Sequence, residues 1–154
     1  MSKLQTLLDE YAVSHQNATN KSIHFICVPL IFFSIVGFFY SIPVPFQFSD
    51  PAYFNFALLM LVLVTVYYFM LSRTLWIGML LFSVICIMGC NAIKTAGLPV
   101  FLVCLGIFVL AWIGQFYGHH VEGKKPSFFK DLQFLLIGPA WIMSFVYKKL
   151  GIAL

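Results

Sequence analysis

The sequence predicts an all-α, polytopic integral membrane bundle, read as a single membrane domain over residues 1–154. Three observations predict it. Hydrophobic residues make up 62% of the chain and charged residues only 9%, where a soluble domain is about half apolar and about a quarter charged. The mean hydropathy is +0.97, too high for a surface that faces water throughout. The apolar residues also fall into runs approaching or reaching the roughly 20 residues a helix needs to cross a bilayer, and the charges are left to the connections and chain ends.

The elements follow in order. Residues 2–13 carry Leu4, Leu7, Leu8 and Tyr11 at helical spacing, the stripe of a short amphipathic helix suited to the membrane surface. The first apolar run is 22–40, ending at the turn Ser41-Ile42-Pro43-Val44-Pro45. The second is 53–71, separated by Ser72-Arg73-Thr74 from the third, 75–92. The fourth, 100–117, leads into a polar loop from His119 to Pro126. The last stretch, 128–147, contains Lys130, Asp131, Gln133 and the Gly138-Pro139 pair. Proline disturbs a helix interior, so this stretch reads as a re-entrant segment or a fifth helix rather than a plain span. No cleavable leader is expected, because a polar-rich stretch, Met1 to Ser22, comes before the apolar run and no small-residue cleavage site follows it.

Lysine and arginine set the orientation. With four spans and a returning last segment, Lys3, Lys21, Arg73, Lys124, Lys125, Lys130, Lys148 and Lys149 share one side, and Lys94 alone of the 9 basic residues lies opposite. The crowded side, with both termini, is then cytoplasmic. A spanning last segment would move Lys148 and Lys149 across and weaken the bias. The net charge of +4 thus reports topology. No dense basic stretch with interleaved aromatics suggests a nucleic-acid partner. None of the five carboxylates, Asp9, Glu10, Asp50, Glu122 and Asp131, lies in mid-span, which counts against a proton-coupled transporter. Cys27, Cys86, Cys90 and Cys104 all lie in apolar runs and read as small buried hydrophobes.

The four histidines carry the chemistry. His15 and His24 flank the start of the first span, and His119 and His120 follow the fourth, so this topology sets all four at the cytoplasmic boundary. Imidazole is the commonest metal ligand among side chains, and helix ends at one leaflet are suited to converging ligands. A single such histidine is more simply read as an interfacial residue wetted by headgroups; the set, with polar neighbours at helical spacing, favours a metal. Asn17, Asn20 and His24 fall on one helix face, Tyr11 and His15 are four apart, and His119 and Glu122 three apart. Such neighbours can orient imidazoles from behind, though the asparagines serve equally as helix caps. His15 and His24 lie about half a turn out of phase on a continuous helix. They meet only if the chain breaks between them, with Asn17, Asn20 and Ser22 as candidate places. Adjacent His119 and His120 point about 100° apart and ligate together only at a frayed helix end, for which Gly118 and Gly123 provide.

The same residues carry a family resemblance. His15-x-Asn17-x-x-Asn20-x-x-x-His24 with Pro29, the stretch Trp-Ile-Gly-Gln-Phe-Tyr-Gly-His-His-Val-Glu-Gly-Lys-Lys-Pro-Ser-Phe beginning at Trp112, and Leu136-Ile137-Gly138-Pro139-Ala140-Trp141 resemble three motifs of the 2-hydroxy fatty acid dioxygenase family. The resemblance covers nearly the whole chain, and the second motif is the most specific. It implies an Fe(II)-dependent enzyme of fatty acid α-oxidation that removes one carbon from a 2-hydroxy acyl chain. Its substrates would be a 2-hydroxy fatty acid and O2, taken among membrane lipid. It also implies that His15, His24, His119 and His120 are needed for activity, with Asn17, Asn20, Glu122 and Tyr11 as supporting residues. The membrane would be the inner membrane of a bacterium, which the compact form of the chain resembles, or the endoplasmic reticulum of a eukaryote, with the metal on the cytoplasmic side.

Two other readings stand beside this one. A non-enzymatic lipid-binding or assembly protein would hold no stoichiometric metal. A membrane lipid hydrolase would use Zn, and histidine ligands suit Zn as well as Fe. Substrate chain length and oligomeric state are left open by the residues.

Overall fold

The structure is a computed structural model, and it describes residues 2–44, 55–123 and 134–154. Pro45 of the first turn, residues 53–54 of the second run, residues 124–126 of the polar loop and residues 128–133 of the last stretch lie outside these. All regular elements among the described residues are helices: α1 (Lys3–Ala12), α2 (Ala18–Tyr40), α3 (Phe56–Leu71), α4 (Leu75–Thr95), α5 (Val100–Val121) and α6 (Ile137–Lys149).

Three of them, α2, α4 and α5, are long and apolar enough to cross a membrane. The 16 residues of α3 extend about 24 Å at 1.5 Å each, short of a ~30 Å hydrocarbon core. The 13 residues of α6 reach only about 20 Å, shorter still than that core. Its Gly138-Pro139 pair, expected to disturb the segment, sits instead in the first turn of α6. The amide hydrogens of a first turn have no partner within the helix, so a proline there removes nothing.

The centre of the bundle is the antiparallel pair α2 and α5. Glycines let them approach closely, as small residues do between membrane helices. Gly37 of α2 faces Cys104 of α5, and Gly114 of α5 faces Cys27 of α2, where a Cβ would lie 2.6 Å from sulfur. Cys104 and Cys27 are thus the packing complements of glycines, and all four cysteines are buried. Around this pair, α3 and α4 pack together and against α2.

At one end of the bundle, α1 and α6 close the structure. The stripe of α1 does not lie on an open membrane surface: Leu4, Leu8 and Tyr11 are buried, and α1 packs on α6. Helix α6 offers its own side chains as the partner, Trp141 lying against Tyr11. Two tyrosines anchor α6. Tyr68 of α3 donates its hydroxyl to Leu136 O at 2.6 Å. Tyr147 donates to Thr74 O and accepts from Gly78 N, both at 2.9 Å. Its hydroxyl thereby bridges the i to i−4 pair in the first turn of α4.

Candidate metal centre

The chain between α1 and α2 breaks as the histidine phasing requires. Helix α1 ends at Ala12, His15 lies in the connection, and Asn17 caps α2 by accepting from Thr19 N at 2.8 Å and Asn20 N at 3.3 Å. The break falls at Asn17, while Asn20 and Ser22 are helical. The turn lays His15 over the first turns of α2, where His24 points into the bundle. The C-terminal end of the antiparallel helix α5 brings His119 to the same place.

These three histidines converge. One ring nitrogen of each lies within 4.8 Å of the others. The ring centroids are 4.2 Å apart for His15 and His24, 5.0 Å for His24 and His119, and 5.6 Å for His15 and His119. All three are buried, with exposures of 2%, 1% and 5% for His15, His24 and His119. His120 is exposed and outside the cluster. The cause is that α5 stays helical through Val121 instead of fraying, so the two adjacent imidazoles keep their ~100° divergence.

The tautomers are set by the backbone. Nδ1 of His15 lies 2.7 Å from Tyr11 O, and Nδ1 of His24 lies 3.0 Å from Asn20 O. A carbonyl only accepts, so each Nδ1 carries the hydrogen and each Nε2 presents a lone pair. That is the arrangement metal-binding histidines use. A buried set of three imidazole nitrogens fits a divalent transition metal. Among the described residues, no carboxylate joins the group.

The supporting residues hold the turn. Glu122, just past α5, accepts from Gln16 N, Asn17 N and Asn20 Nδ2, each at 2.9 Å. Burial opposes its charge, but the hydrogen bonds from Asn20, Asn17 and Gln16, with His15 nearby, outweigh that and hold its carboxyl below the usual range. Glu122 therefore ties the end of α5 to the start of α2 and acts on His24 through Asn20. Gly118 allows this, since any Cβ there would collide with the Asn20 amide. On the other flank Tyr11 stacks on His15, with centroids 4.2 Å apart and planes 11° from parallel, and Trp141 of α6 lies 5.4 Å from both rings.

Two further residues at the site had no role in the sequence reading. Trp141 closes the aromatic flank. Gln115, 6% exposed, lines a cavity of about 20 Å³ with His24, Tyr11 and Trp112. The signal that marks Gln115 is its place four residues before His119, on the same helix face.

Fold and site together define a helical membrane protein with a buried three-histidine centre at one end of its bundle. Residues 1–150 match the model of the family described as 2-hydroxy-palmitic acid dioxygenase Mpo1-like, and the chain belongs to that family. It is 31% identical to the 2-hydroxy-palmitic acid dioxygenase MPO1 of Saccharomyces cerevisiae over 150 residues, which cover 96% of this chain and 82% of the yeast protein. No solved structure matches it.

Proposed function

We propose that this protein is an Fe(II)-dependent dioxygenase that cleaves the C1–C2 bond of a 2-hydroxy fatty acid and yields the fatty acid one carbon shorter. The observation that carries the reading is the convergence of His15, His24 and His119 in a buried cluster within a chain of the Mpo1-like family. The reaction balances as one 2-hydroxy acid and one O2 going to the shorter acid, carbon dioxide and water. The two carbons give up four electrons, and O2 takes up four.

In this reading His15, His24 and His119 hold the metal, and His120 does not. Iron bound there would supply the activation of O2. The protein's own residues do the rest. The Nδ1 hydrogen bonds to Tyr11 O and Asn20 O fix both imidazole planes. Tyr11 and Trp141 shield the His15 side from water. Glu122 holds the α1–α2 connection shut over the site. Three imidazole ligands would leave the charge of a bound divalent ion uncompensated, which would favour an anionic substrate such as a carboxylate. The lysine and arginine bias supports a cytoplasmic position for this end of the bundle.

The test is a reaction of purified, iron-loaded protein with 2-hydroxyhexadecanoic acid, with and without O2, followed by mass analysis of the lipids. A C15 acid formed only with O2 is expected. If folded, iron-loaded protein gives no shortened acid across several chain lengths, the proposal fails.

A further inference from the structure

The cavity beside the histidines holds an unusual polar group. It measures about 20 Å³ and is lined by Val28, Ile31 and Phe134 along with His24, Tyr11 and Gln115. A space of this size takes one water-sized group, about one probe sphere or a little more, and no alkyl chain. Within it Gln115 is more than nine-tenths buried. Its Oε1 accepts no hydrogen bond from any described residue. A buried amide oxygen without a donor is destabilising, and most such groups in proteins find a partner.

An amide oxygen is only an acceptor, so whatever satisfies it must bring an O–H or N–H. Of the reactants in the oxidative reading, O2 has no hydrogen to give and an ionised carboxylate has none either. The 2-hydroxyl is the one donor, and it is about the size the cavity admits. Gln115 also stands one helical turn from His119 and opens on the same space as His24. A group reaching it is therefore beside the centre.

We propose that Gln115 is the residue that reads the 2-hydroxyl, accepting its hydrogen and so selecting 2-hydroxy acids over plain fatty acids. The inference rests on the oxidative reading for the identity of the substrate. A site with a buried acceptor discriminates strongly against the analogue that lacks the donor, because that acceptor is then left unpaired.

The experiment measures binding of 2-hydroxyhexadecanoate and hexadecanoate to iron-loaded protein without O2, where no turnover competes. Wild type, Gln115→Leu and Gln115→Met are compared; the methionine keeps the side-chain length if the leucine variant does not fold. Wild type is expected to prefer the hydroxy acid. Both variants are expected to lose about tenfold to a hundredfold of that preference. A folded variant that keeps the full preference overturns the proposal, and so does a wild type with none. A preserved preference is also the result expected if Gln115 serves only an ordered water. Activity separates the two claims. C15 acid from a wild type whose preference survives in the variants leaves the oxidation standing and removes Gln115. A preference that collapses in the variants, without C15 acid from wild type, does the reverse.

Discussion

The Tyr11 ring lies flat on that of His15, 4.2 Å between centroids and 11° from parallel, while the Tyr11 carbonyl accepts from the same imidazole at 2.7 Å. One residue thus fixes both the plane and the tautomer of its neighbour. Only the first of these depends on the side chain. Tyr11→Phe is expected to keep bound metal, because the ring and the carbonyl remain. Tyr11→Ala removes a stacked ring worth about 0.5–1.5 kcal/mol beyond its burial and frees His15 to turn. Metal affinity measured by chelator competition should fall about 10- to 100-fold, as for other supports of metal ligands.

His119→Ala should abolish stoichiometric metal, and His120→Ala should leave it, because only the first of the pair faces the cluster. Elemental analysis of both purified variants checks this. Metal lost in both, with each still folded, would mean that the end of α5 unwinds to bring the two imidazoles together.

Glu122 gives a pH signature. Its carboxyl titrates below its ordinary value of about 4.3, so the folded state favours the charged form. The stability it contributes is complete above that value and disappears as pH falls through the lowered pKa. Glu122→Gln should therefore melt at a lower temperature than wild type at neutral pH, and the gap should close below about pH 4. Melting curves in detergent across this range test it; a gap independent of pH would show that the charge is not what holds the turn.

Gly118→Ala places a methyl group against the Asn20 amide. Overpacking of this kind costs about 1–3 kcal/mol, and here the strain falls on the residue whose carbonyl orients His24. Lower melting temperature and weaker metal retention are expected together. Gly106→Ala is the control, since nothing lies within 4 Å of its added carbon.

Much of this was legible in the sequence, and the rest was hidden for identifiable reasons. Long apolar runs announced α2, α4 and α5, because burial in lipid demands an unbroken stretch. The limits of α6 were not visible. Whether Pro139 breaks a helix or begins one depends on where the first turn falls, and that was set by Tyr68 reaching Leu136 across the fold. At the site, the half-turn mismatch of His15 and His24 required a break in the chain, and Asn17 supplies it as a cap. Choosing between His119 and His120 needed the register at the end of α5. Gln115 and Trp141 stood inside the quoted motifs, and Gln115 one turn before His119, but their roles were not legible, since a cavity and an aromatic flank arise only from tertiary packing.

The histidine cluster joins distant parts of the chain. His15 and His24 belong to its beginning, and His119 comes only after α3 and α4. A nascent chain makes the first two early, at roughly 5–20 residues per second, and has nowhere to set a metal until α5 has entered the membrane and folded back against α2. In the proposed reading, loading with metal would be a certificate of completed insertion. A chain stalled or misthreaded at α3 or α4 would then present two of the three histidines and hold no ion tightly.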